Sequence, residues 1–321
     1  MDLPWKPGDK AAIRDGYGKG LLALGEAHEE VVALDADLAD STRSAWFGKA
    51  FPERFFQMGI AEQDMVVTAC GMAHMGKVPF ASTFAIFLER AWEQVRNCVA
   101  RQGLNVNLCG SHGGLMTGQD GSSAHALEDV GIYRGLPGFR VVVPGDAVEA
   151  AHAVQAMYDY HGPTYMRSTR AAVPVVHEAT GHTFAWGEGQ TLREGEDVSV
   201  LCNGPQVAEA LRAAEAAAKE GLSIQVVSLA SVKPIDRDAV LAAARRTGHV
   251  VTAEDHFVHN GLGSAVAEVL AEAGTGAALR RVGVQDVFTT SGTPEELYRA
   301  YAIDAVGILE AARGLRAHVA A

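Results

Sequence analysis

The run Ser111–Asp129, SHGGLMTGQDGSSAHALED, places imidazole and carboxylate groups on a glycine-rich backbone. Glycines let the main chain come close to a bound molecule, and His112, Asp120 and His125 supply polar groups to hold it, so the run reads as a substrate loop. A second candidate is Glu62, inside FFQMGIAEQDMVVTACGMAHMG (Phe55–Gly76), where a carboxyl group opens a helical pattern. Buried against an aromatic ring, such a carboxyl can hold a short, strong hydrogen bond that water would otherwise compete away. As an ordinary first-turn acid it would only favour the helix dipole, by about 0.3 to 1 kcal/mol. Phe84 and Phe87 are three apart and share one face of a helix or its entry turn, where they could flank a flat heteroaromatic ring or simply fill the core. HNGLGSA around Gly261 has neither GxGxxG nor Walker spacing and reads as a helix-opening turn. His28, His74, His152 and His161 show no metal-ligand spacing and read as solvated or packed imidazoles, so no metal is expected on this chain's own residues.

The elements that must position these groups alternate between strand-length apolar runs and longer helical spacings, with Gly, Asp or Pro at many junctions. A helix is expected over Ala11–Glu26, a buried strand over Val31–Asp37 and a helix over Ala61–His74. VPFAST is read as a strand, Ala85–Arg101 as one helix, NVNLCGS and FRVVVP as strands, and PTYMRS as the last strand of this unit. Buried parallel strands need helices on both faces, which gives a doubly wound α/β sheet with ligands at the carboxyl ends of its strands. The polar, glycine-rich stretch Ala179–Asp197 reads as a linker. Beyond it VSVLCNG, a helix over Val207–Glu220, IQVVSLA, HVVTAED, a helix after Gly263 and RRVGV form a second, smaller α/β unit.

Length and composition agree with two cores: 321 residues, 48% hydrophobic and 21% charged. Apolar stretches such as Val66–Ala73 fall well short of the roughly 20 residues needed to span a bilayer, and the amino terminus has no apolar signal core, so no membrane and a cytoplasmic location are expected. The four cysteines have no CxxC spacing and lie in apolar segments. With 39 acidic against 27 basic residues the formal charge is -12, which disfavours nucleic acid and requires any phosphate site to be built locally.

GIAEQ, the aromatic pair in STFAIF, and GQDG followed by a histidine and LED closely resemble the pyrimidine domain of transketolases. VVTAEDHFVHNGLGSAVAEVL and DVFTTSGTPEELYRAYAID are similar to the carboxyl-terminal domain of that family, so the resemblance spans essentially the whole chain. It implies a pyrimidine-binding domain over 1–180 and a transketolase C-terminal domain over 190–321. It implies thiamine diphosphate as cofactor, with Glu62 hydrogen-bonding the pyrimidine ring, Phe84 and Phe87 against that ring and Asp37 bordering it. It further implies a sugar phosphate held by Arg14, Ser41, His112 and Arg170, with Arg167 a nearby competitor for the last role, and hydroxyl stereochemistry read by Asp120. Glu62 and His112 are thus the expected catalytic residues. Two departures stand out. Glu89 and Arg90 occupy the place where the family often has a further aromatic, and its second loop histidine falls at Ala124, displaced here to His125.

Single-chain members of the family carry a further amino-terminal domain with a GDG segment that holds metal and diphosphate, and no GDG occurs in this sequence. The resemblance therefore implies an N-terminal transketolase subunit carrying that motif as partner. A divalent metal (Mg or Ca) would be bound through the partner, in a heterotetramer with two copies of this chain. The implied reaction moves a two-carbon ketol unit from a ketose phosphate to an aldose phosphate, as in the pentose phosphate pathway. Alternatives stay open: the beta subunit of a 2-oxoacid dehydrogenase, which shares both domains and the activating glutamate, a variant for sulfonated or otherwise unusual ketoses, or a non-catalytic assembly subunit. His112 with Asp120, and Arg14 with Ser41, weigh against the dehydrogenase.

Overall fold

The run Val31–Asp35 is buried at every position because its two faces meet two different helical layers. Val31 and Ala33 pack with Tyr17, Leu21 and Leu24 and with Val154 and Met157. Val32 and Leu34 pack on the other side with Met65, Val66 and Ala69 and with Leu88 and Val95. Alternation with period two along the apolar residues Val31–Leu34 thus produces a sheet covered twice.

The computed structural model describes residues 1–318. In chain order the strands are β1 (Lys10–Ala12), β2 (Val31–Asp35), β3 (Phe55–Gln57), β4 (Val78–Phe84), β5 (Asn107–Ser111), β6 (Arg140–Val142), β7 (Thr164–Arg167), β8 (Ala172–Pro174), β9 (Gln190–Arg193), β10 (Val198–Cys202), β11 (Ile224–Ser228), β12 (Ser231–Lys233), β13 (His249–Phe257) and β14 (Ala278–Val284). The first sheet runs β12-β6-β7-β5-β4-β2-β3, and only its edge strand β12 is antiparallel. The chain leaves β2 outward to β3 and then crosses back to β4 on the opposite side. The carboxyl ends of β2 and β4 therefore border a topological switch point, where open α/β sheets bind their ligands. The second sheet runs β14-β13-β10-β11-β9, parallel except for β9. The expected α/β class, doubly wound and mostly parallel with a smaller second unit, is what the chain adopts.

Three local expectations change. The strand predicted to reach Asp37 stops at Asp35, because Asp37 turns into the left-handed region with φ 64. The single helix expected over Ala85–Arg101 is broken into a helical turn at Ala85–Leu88, a 3-10 turn at Glu89–Ala91, a turn at Trp92–Gln94 and a π-helical stretch at Val95–Ala100. The changes of pitch keep Leu88, Ala91, Val95 and Val99 all fully buried. The linker is shorter than its composition suggests, since Gln190–Arg193 forms the strand β9, while β12 crosses back to extend the first sheet.

The helix Ile13–Ala27 lies unusually close to Ala147–Asp159. A Cβ on Gly16 would sit 2.0 Å from the Ala147 carbonyl oxygen, so only glycine permits the approach. Among the described residues, no helix is long and apolar enough to cross a membrane.

Candidate functional site

At the end of β2 the carboxylate of Asp35 accepts hydrogen bonds from Thr42 Oγ1 (2.7 Å), Ser44 Oγ (2.8 Å) and the Leu38 N–H (2.6 Å). Burial pushes its pKa up to about 6 against the pull of those three donors. Asp35 is the fixed point around which residues 37–44 turn. Asp37 stands exposed on that turn, its N–H donating to Gln57 Oε1 at 3.0 Å. Ser41 meets Arg14 through its backbone, its carbonyl accepting from Nη1 at 2.9 Å, while Arg14 Nε is buried without a partner. Arg43, which sequence reasoning missed, lies in the same turn with φ 73, donates to Asp15 Oδ1 at 2.6 Å and covers the Trp46 ring.

The next strands deliver an aromatic column. Phe84 closes β4 and His112 follows the last residue of β5 with φ 58. The Phe84 ring stacks on the His112 imidazole at 3.8 Å between centroids and on Phe87 at 5.4 Å. A third ring between Phe84 and Phe87 would need about 7 Å, twice the ~3.5 Å contact distance of carbon atoms. Phe84 and Phe87 thus form a continuous stack whose outer ring, Phe87, is exposed, so a heterocycle would meet that outer face and not enter between the two rings.

His112 accepts or donates at Nδ1 with Ser111 Oγ, 2.9 Å away, and its backbone carbonyl accepts from Thr117 Oγ1. Its pKa is lowered to about 3, first by burial and then by the charges of Arg14, Arg170 and Arg43. The imidazole is neutral at pH 7, and the positive charge around it belongs to three guanidinium groups. Arg170 donates from Nη1 to Asp120 Oδ1 at 2.9 Å and to the Thr117 carbonyl at 3.1 Å, so Asp120 joins the cluster through an ion pair. Arg167 is no competitor. It is buried and committed to Asp129, to the Ala126 carbonyl and to the Asp255 carbonyl. His125 likewise has both ring nitrogens engaged, with Thr289 Oγ1 at 2.7 Å and the Gly118 carbonyl at 2.9 Å, which makes it a brace of the loop.

The second domain sets the shape of that loop. Asp255 in β13 accepts the N–H groups of Leu115 (2.8 Å) and Met116 (3.3 Å) and the Tyr298 hydroxyl (3.0 Å). Gly114, at φ 76, leaves the space this carboxylate fills. Nothing local in the sequence marks Asp255 for this role. HNGLGSA is a helix-opening turn as expected, and its free N–H groups at Leu262 and Gly263 are taken by the buried Glu254 carboxylate at 2.7 and 2.8 Å.

Glu62 is the first residue of the helix Glu62–His74 and is 3% exposed, yet its Oε2 has no hydrogen-bond partner. The nearest cation is Arg90, one of the two residues at the family's missing aromatic, with Nη1 3.8 Å away. A buried carboxylate oxygen left unbonded costs roughly 1 to 3 kcal/mol or more, so the fold keeps it for a ligand or maintains it at a loss. An acceptor of this kind and an exposed aromatic face at the end of β4 fit a flat heterocycle carrying a ring N–H, as the pyrimidine end of thiamine diphosphate would present.

Comparisons with known proteins agree with this architecture. Residues 9–176 match the model of the transketolase pyrimidine binding domain and residues 187–308 that of the transketolase C-terminal domain. A protein of Methanocaldococcus jannaschii described as a transketolase C-terminal section is 42% identical, over 92% of this chain and 93% of its own length. The 6-deoxy-6-sulfo-D-fructose transketolase subunit of Clostridium sp. (strain MSTE9) is 40% identical, over 94% and 93%. A solved split-gene transketolase, described as an inactive beta4 tetramer, superposes with a TM-score of 0.89 at 44% identity and covers 95% of this chain and 98% of that one. The chain spans about half the length of the mammalian transketolases it also matches. With both domain models matched in order along a fold that superposes on a split-gene member, the chain belongs to the transketolase family, as its pyrimidine-binding and C-terminal domains.

Proposed function

We propose that this chain is one subunit of a two-chain, thiamine-diphosphate-dependent transketolase. The other subunit would supply the GDG-bearing domain and, through it, the divalent metal. The observation that carries the reading is the Glu62 carboxylate, buried at a helix start with Oε2 unpartnered. When bound, thiamine diphosphate supplies a nucleophilic carbon able to hold a two-carbon ketol unit between donor and acceptor sugars. This chain's residues do the rest. Glu62 accepts a hydrogen bond from the pyrimidine ring and fixes its protonation state, while Phe87 offers an aromatic face. Asp37 borders the same ring.

Arg14, Arg170 and Arg43 form the cationic pole for the phosphate of a sugar phosphate, and His112 contributes a neutral hydrogen-bonding group among them. The carbonyl of Ser41 orients Arg14, and Asp120, paired with Arg170, faces the substrate hydroxyls. Binding the charged end far from the reacting carbons positions them for transfer. A cluster of three guanidiniums suits a doubly charged phosphate better than the plain carboxylate of a 2-oxoacid.

The test is reconstitution with a GDG-containing partner chain and replacement of Glu62 by Gln. Ketol transfer should fall by about 100-fold or more, the usual scale for losing a proton-transfer group. Turnover left unchanged would identify a scaffold subunit, and full activity of this chain alone would remove the partner from the proposal.

One similarity favours a second reading of the substrate. The sulfofructose transketolase subunit of Clostridium sp. is 40% identical over nearly its whole length, and a sulfonate, like a phosphate, presents three terminal oxygens with which guanidinium groups can pair, though with a single charge. Measuring kcat/KM for fructose 6-phosphate against 6-deoxy-6-sulfofructose distinguishes the two.

A further inference from the structure

Apart from the residues assigned above, the segment that leads from the first domain to the second folds two histidines, His177 and His182, against Glu149 of the helix Ala147–Asp159 and its N-cap Asp146. We infer that Glu149, His177 and His182 form a binding site for one divalent transition-metal ion of the zinc class, which fastens the interdomain segment to that helix. Each of the three offers one donor atom, and these atoms lie within 4.8 Å of one another. A tetrahedral site with bonds of about 2.0 Å needs donors about 3.3 Å apart, a closure that side-chain rotations supply. Two imidazoles and one carboxylate are a donor set that zinc accepts with its fourth position left to water.

The hydrogen bonds around the cluster favour a ligand over a plain core. His177 is buried, and its Nδ1 lies 2.9 Å from Asp146 Oδ2, while its Nε2 makes no hydrogen bond of full geometry and has the Gln190 side chain alongside, a neutral group that a cation would displace. An imidazole that gives one N–H to a carboxylate and presents its other nitrogen bare is oriented as metal-bound histidines are. Asp146 is itself fixed by the N–H groups of Glu149 (2.9 Å), Val176 (2.7 Å) and His177 (2.9 Å). Glu149 accepts the Gly145 N–H at Oε2, 2.7 Å, which leaves Oε1 facing His182 Nε2 at 3.9 Å. His182 Nε2 is likewise buried and unpartnered, in a side chain only 6% exposed, and its ring lies 4.1 Å from that of His177. His152, one turn after Glu149 on the same helix face, brings a further unpartnered Nε2, its ring 5.6 Å from that of His182. Hydrogen bonds within the fold thus leave the Nε2 atoms of His177 and His182 free beside the Glu149 carboxylate, and a single cation satisfies all three. A cavity of about 220 Å³, bounded by Glu149, His182, Gln190 and Ser228 among others, gives an ion a way in and a water its place.

Sequence alone hid the site because its members come from two separate segments, the helix that carries Glu149 and the run His177–His182, and His152, read there as a packed or solvated imidazole, lies beside it. The experiment uses the full chain without a histidine tag, stripped of metal by chelator and titrated with Co²⁺. One equivalent should bind with the visible absorption of four-coordinate cobalt, be displaced by Zn²⁺, and raise the unfolding temperature. His182→Ala and Glu149→Gln should each weaken binding at least tenfold, while exposed His259→Ala leaves it unchanged. His182→Ala alters a loop side chain, and far-UV circular dichroism checks that it folds. No saturable one-equivalent spectrum, or equal affinity in a folded His182→Ala protein, overturns the proposal.

Discussion

The Asp255 carboxylate of the second domain accepts the Leu115 N–H of the first at 2.8 Å, across 140 residues of sequence. Its other oxygen serves Met116 and Tyr298, so one buried acid ties the glycine loop that carries Asp120 to the C-terminal sheet. In Asp255→Asn an amide N–H₂ faces donors that need an acceptor. The protein should lose about 1 to 3 kcal/mol in urea unfolding, and the reconstituted enzyme should show a raised KM as the loop loosens.

Arg170 and Asp120 form a half-exposed pair, each side chain about 40% accessible, and such a pair contributes at most ~1 kcal/mol to stability. Arg170→Ala should therefore leave the unfolding midpoint almost unchanged while raising KM for a phosphorylated ketose about tenfold or more. Binding kinetics with phosphorylated and unphosphorylated sugars check this, because the loss should vanish when the phosphate is absent.

His112 is held down to about pKa 3 by burial and by Arg14, Arg170 and Arg43, so below pH 6.5 the unfolded chain takes up a proton that the folded chain refuses. Stability at this group is complete above pH 6.5 and is lost as pH falls toward 3. His112→Gln should flatten the fall of the urea midpoint between pH 6.5 and 4. Inorganic phosphate should raise the imidazole pKa in nuclear magnetic resonance titrations by placing an anion among the arginines.

Glu89 behaves in the opposite sense. Burial, then Asp129 and Glu128, pushes its pKa up to about 9, and its Oε1 has no partner. Between pH 4.5 and 9 the unfolded chain releases a proton that the folded chain keeps, so stability falls as pH rises through that window. Glu89→Gln keeps the shape without the acid and should stabilise the chain by on the order of 2 kcal/mol at pH 8, a gain that disappears near pH 4.5.

The α/β class, the two units and most strands are legible because parallel strands buried on both faces must be apolar throughout, and that pattern is local. The helix predicted at Ala85–Arg101 carried the right apolar spacing, but its pitch was set by the cavity it had to fill, which no single segment encodes. The turn after β2 was read through Asp37, whereas the acid that organises it is Asp35, hidden as part of an apolar run.

By itself the sequence determined the α/β elements and offered candidates for contact with a heterocycle and an anion: Glu62, Phe84, Phe87 and His112 stand in recognisable local runs, and Arg14 and Arg170 follow from the family resemblance. Only the tertiary structure decided which of them share a site and in what state. It stacks Phe84 between His112 and Phe87, takes Arg167 into the core, brings Arg43 in, and sets His177 and His182 against Glu149. The reason is physical: contacts, burial and charge act through space, over separations the chain closes only on folding.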